Sequence, residues 1–467
     1  MGAVHRSWRQ RCGSPRGVRR ALAARPAASN PARRRGPGAG PAHIRWGEQS
    51  TQAAFGRILL DLAKSGAPLA ARLVTTSPDV AVSTNLGGWV NQRGLFRRSA
   101  PAGGFRAAKI PSAQRWHGGD AGQHIELGIA ENNLFLMLAA LGLAGPLFGT
   151  RLLPVGTVYD PFIACGLDVL NYGCYQDAHF LLVATPSGLT LAPEGGAPQS
   201  INTPLSGMGQ PGLTAFEPAF ADELAALMGW AFAPLQEDEG GSAYLRLSTR
   251  PIRQIHREDG AWREGMLEGG YWLRPPRETH AVAYMGAVAP EALEAWTSLT
   301  DEMPGLGLLA ITSPDRLHRG WSQAQARQAE GDRRAESHVE ALLAPLGRQG
   351  RIVTLLDGSP AALSWLGAVH GQRVHPLGVD SSARPATCPT STVGTGSTPR
   401  PWSALPKTYS GRADPNSCRE ARRLVPPPPQ QPASPSLASS QRENQRQILP
   451  SASRWLLRRK NACASPG

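Results

Sequence analysis

A chain of 467 residues with 41% hydrophobic content holds enough apolar material for more than one core, so two folded units flanked by tails are expected. The formal charge of +14 is unevenly placed: residues 1–46 carry eleven arginines and no acid, and residues 381–467 carry a surplus of ten cations, which together exceed the total by seven. The middle of the chain is therefore acidic, and with no zinc-finger or helix-turn-helix spacing this argues against sequence-specific nucleic-acid recognition.

The longest apolar run, from Leu134 to Phe148, is broken by Gly142, Gly145 and Pro146, so no membrane-spanning segment is expected. The Arg-rich start clusters Pro and Gly, which makes a poor amphipathic transit helix, and no secretory signal is present. Four of the six cysteines lie in the tails. The other two, Cys165 and Cys174, form no CxxC pair and are expected to be small buried hydrophobes in a reducing cytoplasm.

In chain order, residues 1–46 show no hydrophobic period and are expected to be a disordered Arg/Pro/Gly-rich segment. Ala54, Ile58, Leu59 and Leu62 recur at helical spacing between Thr51 and Ala63, and Arg72 to Val82 reads as a strand. The segment GQHIELGIAENNLFLMLAALGLAG predicts a helix that sets Glu131 on one face with Leu127, Leu134 and Leu138, while Glu126 is turned toward solvent. A carboxylate among leucines needs a specific hydrogen-bond partner unless the helix is exposed there. Leu152 to Val155 and Phe180 to Ala184 read as buried parallel strands, with a helical pattern from Phe162 to Leu170 between them.

A charged, Gly-rich linker over 251–277, with a possible short strand at 269–273, leads to a second α/β unit. Thr279–Met285, Leu306–Ile311 and Arg351–Leu356 read as strands, and Pro290–Leu299 as a helix opened by its proline. The fold class expected is α/β, with two consecutive parallel-sheet units over 49–250 and 278–380 and basic tails.

Beyond these patterns, GIAENN, GTRLLPVGTVYDPFIACGLDVL and FLLVATPSGLTLAPEGGAPQSI occur in an order that resembles the pyrimidine-binding domain of thiamine-diphosphate enzymes. Within that superfamily the chain is similar to the homodimeric pyruvate dehydrogenase first component and its transketolase-like relatives over roughly residues 49–380. The resemblance implies two transketolase-like domains, thiamine diphosphate as cofactor with Mg²⁺, oxidative decarboxylation of a 2-oxoacid with acyl transfer to a lipoyl acyltransferase partner, a homodimer and a cytoplasmic setting. It implies that Glu131 hydrogen-bonds N1′ of the aminopyrimidine, that Tyr159 and Phe162 pack on that ring, and that Asp79 is an acidic residue near the substrate.

Two departures from the family pattern bear on activity. Pro198 stands where the family has a histidine before the glutamine of EGGAPQS, so impaired turnover is expected. The GDG motif and Asn of a diphosphate-binding domain find no match ahead of Gln49, and no Mg²⁺ ligand can be named, so the chain alone is expected to be inactive. His124 and His179 are read as structural or surface residues. The resemblance stops near Asp380. The Pro/Ser/Thr/Arg-rich low-complexity tail over 381–467 back-translates, one nucleotide out of register, into a phrase like the family's continuation, and is expected to be translated out of frame. Transketolase-like ketol transfer and a non-enzymatic product of a damaged gene are the alternative readings.

Overall fold

A computed structural model describes residues 47–98, 116–194, 200–238, 240–257 and 260–379. Strands β1 (Leu73–Ser77), β2 (Leu95–Phe96), β3 (Gly118–Gly119), β4 (His124–Glu126), β5 (Leu153–Val158), β6 (Leu181–Ala184), β7 (Leu213–Phe216) and β8 (Ser242–Arg246) form one sheet. Their order is β3-β2-β4-β1-β5-β6-β8-β7, and every pairing is parallel. A second sheet contains β9 (Gly270–Arg274), β10 (His280–Met285), β11 (Gly307–Ile311), β12 (Arg351–Leu356) and β13 (Arg373–Leu377) in the order β9-β11-β10-β12-β13, with β9 antiparallel. Glu48–Gln49 and Ile252–Arg253 make a separate two-stranded ribbon.

The helices of importance are α1 (Thr51–Lys64), α2 (Glu131–Gly142), α3 (Leu167–Tyr175), α4 (Ala221–Ala231), α5 (Ala289–Leu299) and α6 (Pro314–Ala329). Ser50 caps α1 by accepting the Ala53 amide, and the predicted apolar stripe is the buried face, with Phe55 added to it. Ser313 caps α6 in the same way, and Pro314 follows at the first helical position. At α4 the cap is inverted: the Glu223 carboxylate reaches back to accept the Ala219 and Phe220 amides.

Parallel strands covered on both faces must be apolar throughout, and β5, β6 and β8 are buried at every residue. One hydrophobic cluster runs from α1 through Phe216, Phe220 and Leu224 to Tyr271, Tyr284 and Ala289, so both sheets share it. A second cluster, from Leu134 to Tyr244, fills the opposite face of the larger sheet beneath α2 and α3.

The helix expected to span Leu127 and Glu131 begins only at Glu131. His124–Glu126 is instead a strand paired with β1, and Gly128 at φ 70° turns the chain between the two elements. Leu127 is therefore not on the helix, whereas Leu134 and Leu138 are buried on it. The strand read from Arg72 to Val82 ends at Ser77, and the short strand at 269–273 is the antiparallel edge of the second sheet. Cys174 is buried as expected, but Cys165 is exposed. Among the described residues no helix is long and apolar enough to cross a membrane. Both basic tails lie outside the described residues.

Candidate active site

In open parallel sheets the loops leaving the carboxyl ends of the strands build the site. Here the ends of β4, β1, β5 and β6 lie side by side, and the residues singled out in the sequence follow three of them. Asp79 follows β1, Glu131 follows β4, and Tyr159 and Phe162 follow β5.

Glu131 is the first residue of α2, half-buried, and its carboxylate has no hydrogen-bond partner among the described residues. A carboxylate at a helix N-terminus is favoured by the unsatisfied amides and the dipole there, so the position tolerates a charge without a salt bridge. Tyr159 and Phe162 have ring centroids 6.1 Å apart and planes within 8°, and Phe162 is 39% exposed. Tyr159 precedes and Phe162 lies within a turn, Asp160–Gly166, that packs under α2: a Cβ on Gly166 would lie 2.0 Å from Phe135 Cδ2.

Glu126 is not turned to solvent. Its Oε1 accepts the Asp79 amide at 2.7 Å, and its Oε2 lies 3.3 Å from His124 Nε2. Burial raises its pKa and is the largest single influence, but the bonds from His124 and the Asp79 amide outweigh it and hold the carboxyl below the usual glutamate range. The Asp79 amide bond secures a residue at φ 62°, an uncommon conformation for anything but glycine. The Asp79 side chain is exposed. His124 is fully buried, with Nδ1 2.8 Å from the Thr75 hydroxyl, which agrees with its structural reading. Buried His179 lies 3.5 Å from Arg151, and desolvation with that cation lowers its pKa.

Behind the turn lies a buried ionic cluster that pattern reading missed. Asp160 Oδ2 accepts the hydroxyls of Ser200 and Thr203, both at 2.6 Å, and Arg246 Nε at 2.7 Å, while its Oδ1 accepts the Tyr244 hydroxyl at 2.6 Å. Arg246 Nη1 donates to Glu217 Oε1 at 2.9 Å. Desolvation pushes the Glu217 carboxyl up to about 7, against the pull of Arg246 and with help from Asp357 and Asp160. The available signal was an arginine in the otherwise apolar strand SAYLR, since a buried cation requires a buried acid.

Pro198 lies outside the described residues. Among the described residues no group of three or more His, Cys, Asp or Glu side chains is placed to hold a metal ion.

The chain is 24% identical over 315 residues to the pyruvate dehydrogenase E1 component of Mycolicibacterium smegmatis, a match covering 64% of this chain and 32% of that protein. It therefore spans about a third of the length of this curated relative. Among solved structures it is similar to transketolase from Leishmania mexicana, with TM-score 0.53 and 15% identity over 73% of this chain and 42% of that one. Transketolase from Campylobacter jejuni gives TM-score 0.52 and 14% identity over 72% and 43%. A transketolase variant from Pichia Stipitis gives 0.53 and 16% over 74% and 44%. No protein-family profile matches the chain. The sequence is thus similar to that of a pyruvate dehydrogenase E1 component, and the fold is that of the transketolases.

Proposed function

We propose that this chain forms the pyrimidine-facing half of a thiamine-diphosphate site and serves a 2-oxoacid dehydrogenase of the pyruvate type. The observation that carries the reading is Glu131, a half-buried carboxylate without a hydrogen-bond partner among the described residues, at the edge where the stacked Tyr159 and Phe162 also lie. A flat heterocycle is held well by flat rings, and an unpaired acid at a helix start suits a ring nitrogen that must share a proton. The likeness to a pyruvate dehydrogenase component favours 2-oxoacid over ketose chemistry.

When bound, the cofactor supplies the acidic thiazolium carbon on which a 2-oxoacid is decarboxylated. This chain's residues do the rest of the work on the pyrimidine side. Glu131 would hold the pyrimidine by sharing a proton between its carboxyl and the ring nitrogen N1′. Tyr159 and Phe162 would orient the ring and keep water from it. Glu126 secures the Asp79 turn on the substrate side through the Asp79 amide. No step is assigned to Mg²⁺. Acyl transfer to a lipoyl acyltransferase and a cytoplasmic setting belong to the same reading.

A homodimer also belongs to it. Leu136 on α2, Leu147 and Phe148 just beyond it, and Tyr172 and Tyr175 on α3 are 53–81% exposed on adjoining segments. Exposed apolar side chains gathered on adjoining segments suit an interaction surface, and we assign this one to a second copy of the chain.

The test is a titration with thiamine diphosphate and Mg²⁺ in the presence of a diphosphate-binding chain, followed by near-ultraviolet circular dichroism of the imino tautomer and by pyruvate decarboxylation. Glu131→Ala is expected to abolish the tautomer signal and any turnover. Retention of both would refute the assignment, and cleavage of ketoses in place of pyruvate would move the chain to transketolase chemistry.

A further inference from the structure

The turn that carries Tyr159 and Phe162 is held along a hydrogen-bonded path that begins and ends at the second sheet. At one end the Asp357 carboxylate, one residue beyond β12, accepts the Leu189 amide at 3.0 and 2.9 Å. The adjoining Gly188 amide donates to the Ser200 hydroxyl at 3.2 Å, and Ser200 donates in turn to Asp160 Oδ2. From Asp160 the path runs through Arg246 to Glu217, whose own amide donates at 2.8 Å to the Thr312 carbonyl, one residue beyond β11. Asp160 is the midpoint, and it separates Tyr159 from Phe162 by being the first residue of the turn.

Both junctions are closely fitted. A Cβ on Gly188, at φ 50°, would lie 2.1 Å from Asp357 Oδ2, and a Cβ on Gly286, at φ 64°, would lie 2.1 Å from Glu217 Oε1. Only glycine allows these approaches without displacing a carboxylate. The path also carries an electrostatic cost, because Asp160, Glu217 and Asp357 are all buried within reach of the Arg246 guanidinium. Buried ion clusters of this kind are poor stabilisers compared with apolar packing, which points to a role in fixing geometry.

We propose that the second sheet acts as a clamp on the aromatic turn, with Asp357, Ser200 and Arg246 as positioning residues for the ring that Tyr159 and Phe162 would hold. The purpose of the clamp rests on the cofactor reading above, but the clamp itself is measurable on the chain alone. The Asp160 amide bonds the Pro186 carbonyl and the Phe162 amide bonds the Tyr159 carbonyl, so both report the turn by hydrogen exchange.

The experiment is hydrogen–deuterium exchange on the full chain without ligand, comparing wild type with Ser200→Ala, Asp357→Ala and the double variant. Each single change is expected to speed exchange at Asp160 and Phe162 at least tenfold while α1 and β11 keep wild-type protection. Because the links lie in series, the double variant should add little to either single one. Unchanged exchange at the turn in Ser200→Ala would overturn the clamp, and so would additive effects, which two independent structural roles would give. If Asp357→Ala does not fold, Ser200→Ala decides alone. A parallel titration with thiamine diphosphate in the presence of a diphosphate-binding chain separates the two claims, since a clamped turn in a chain that still binds no cofactor refutes the function and leaves the clamp standing.

Discussion

Replacing Glu217 with Gln gives the sharpest energetic test of the buried cluster. The folded-state value of about 7 stands above the ordinary 4.5 for a fully buried carboxyl, a difference of about 2.5 units. At about 1.4 kcal/mol per unit this amounts to about 3–4 kcal/mol. The folded pKa is raised, so the contribution is complete below pH 4.5, declines as the unfolded chain releases its proton between 4.5 and 7, and is gone above 7. Wild type should therefore lose stability toward neutral pH more steeply than Glu217→Gln, by up to about 1.4 kcal/mol per pH unit in that window. The new amide brings a cost of its own, because Oε2 has no partner and an NH₂ group placed there would be an unsatisfied donor. That cost does not vary with pH. Urea unfolding followed by tryptophan fluorescence at pH 5, 6, 7 and 8 gives the comparison; the raised values at Glu223 and Asp315 cancel in the difference, whereas Asp357, which interacts with Glu217, contributes to it. A wild-type-minus-variant stability that is the same at pH 5 and pH 8 would refute the argument.

Three further outcomes are expected. Gly166→Ala places a methyl group 2.0 Å from the Phe135 ring and should destabilise the chain by about 1–3 kcal/mol, read from the shift in urea midpoint. Cys165 should react with a maleimide in the native chain, whereas Cys174, buried and with its thiol pushed by desolvation up to about 11, should react only after unfolding, as peptide mapping will reveal. Phe148→Glu puts a charge on the exposed apolar face and should convert a dimer into a monomer in sedimentation velocity, and an unchanged sedimentation coefficient would remove that face from the interface.

Much of the framework was legible because its signals are local. The stripe of α1, the apolar runs of β5 and β6, and the proline opening α5 each depend on a few neighbouring residues, and the elements fall within a few residues of their expected limits. Glu131, Tyr159, Phe162 and Asp79 were singled out by resemblance, and the fold brings all four to one sheet edge. The segment around Leu127 was misread because its spacing fits a helical face, while its conformation is decided by pairing with β1 and by the turn at Gly128. Glu126 was misjudged for the same reason, since its partner Asp79 lies 47 residues away. The Asp160, Arg246 and Glu217 cluster joins residues up to 86 positions apart, and no periodicity encodes a contact at that range.

The core that runs from α1 to Ala289 changes what the connection between the sheets means. With Phe220, Tyr271 and Tyr284 in one apolar mass, and with the Glu217 amide bonded to Thr312, residues 247–269 do not work as a tether between independent bodies. A nick in that stretch would leave two pieces still bound through an apolar interface, each exposing apolar surface if taken from the other. The two sheets should therefore melt together as one cooperative block, and whatever loosens one will be felt by the other.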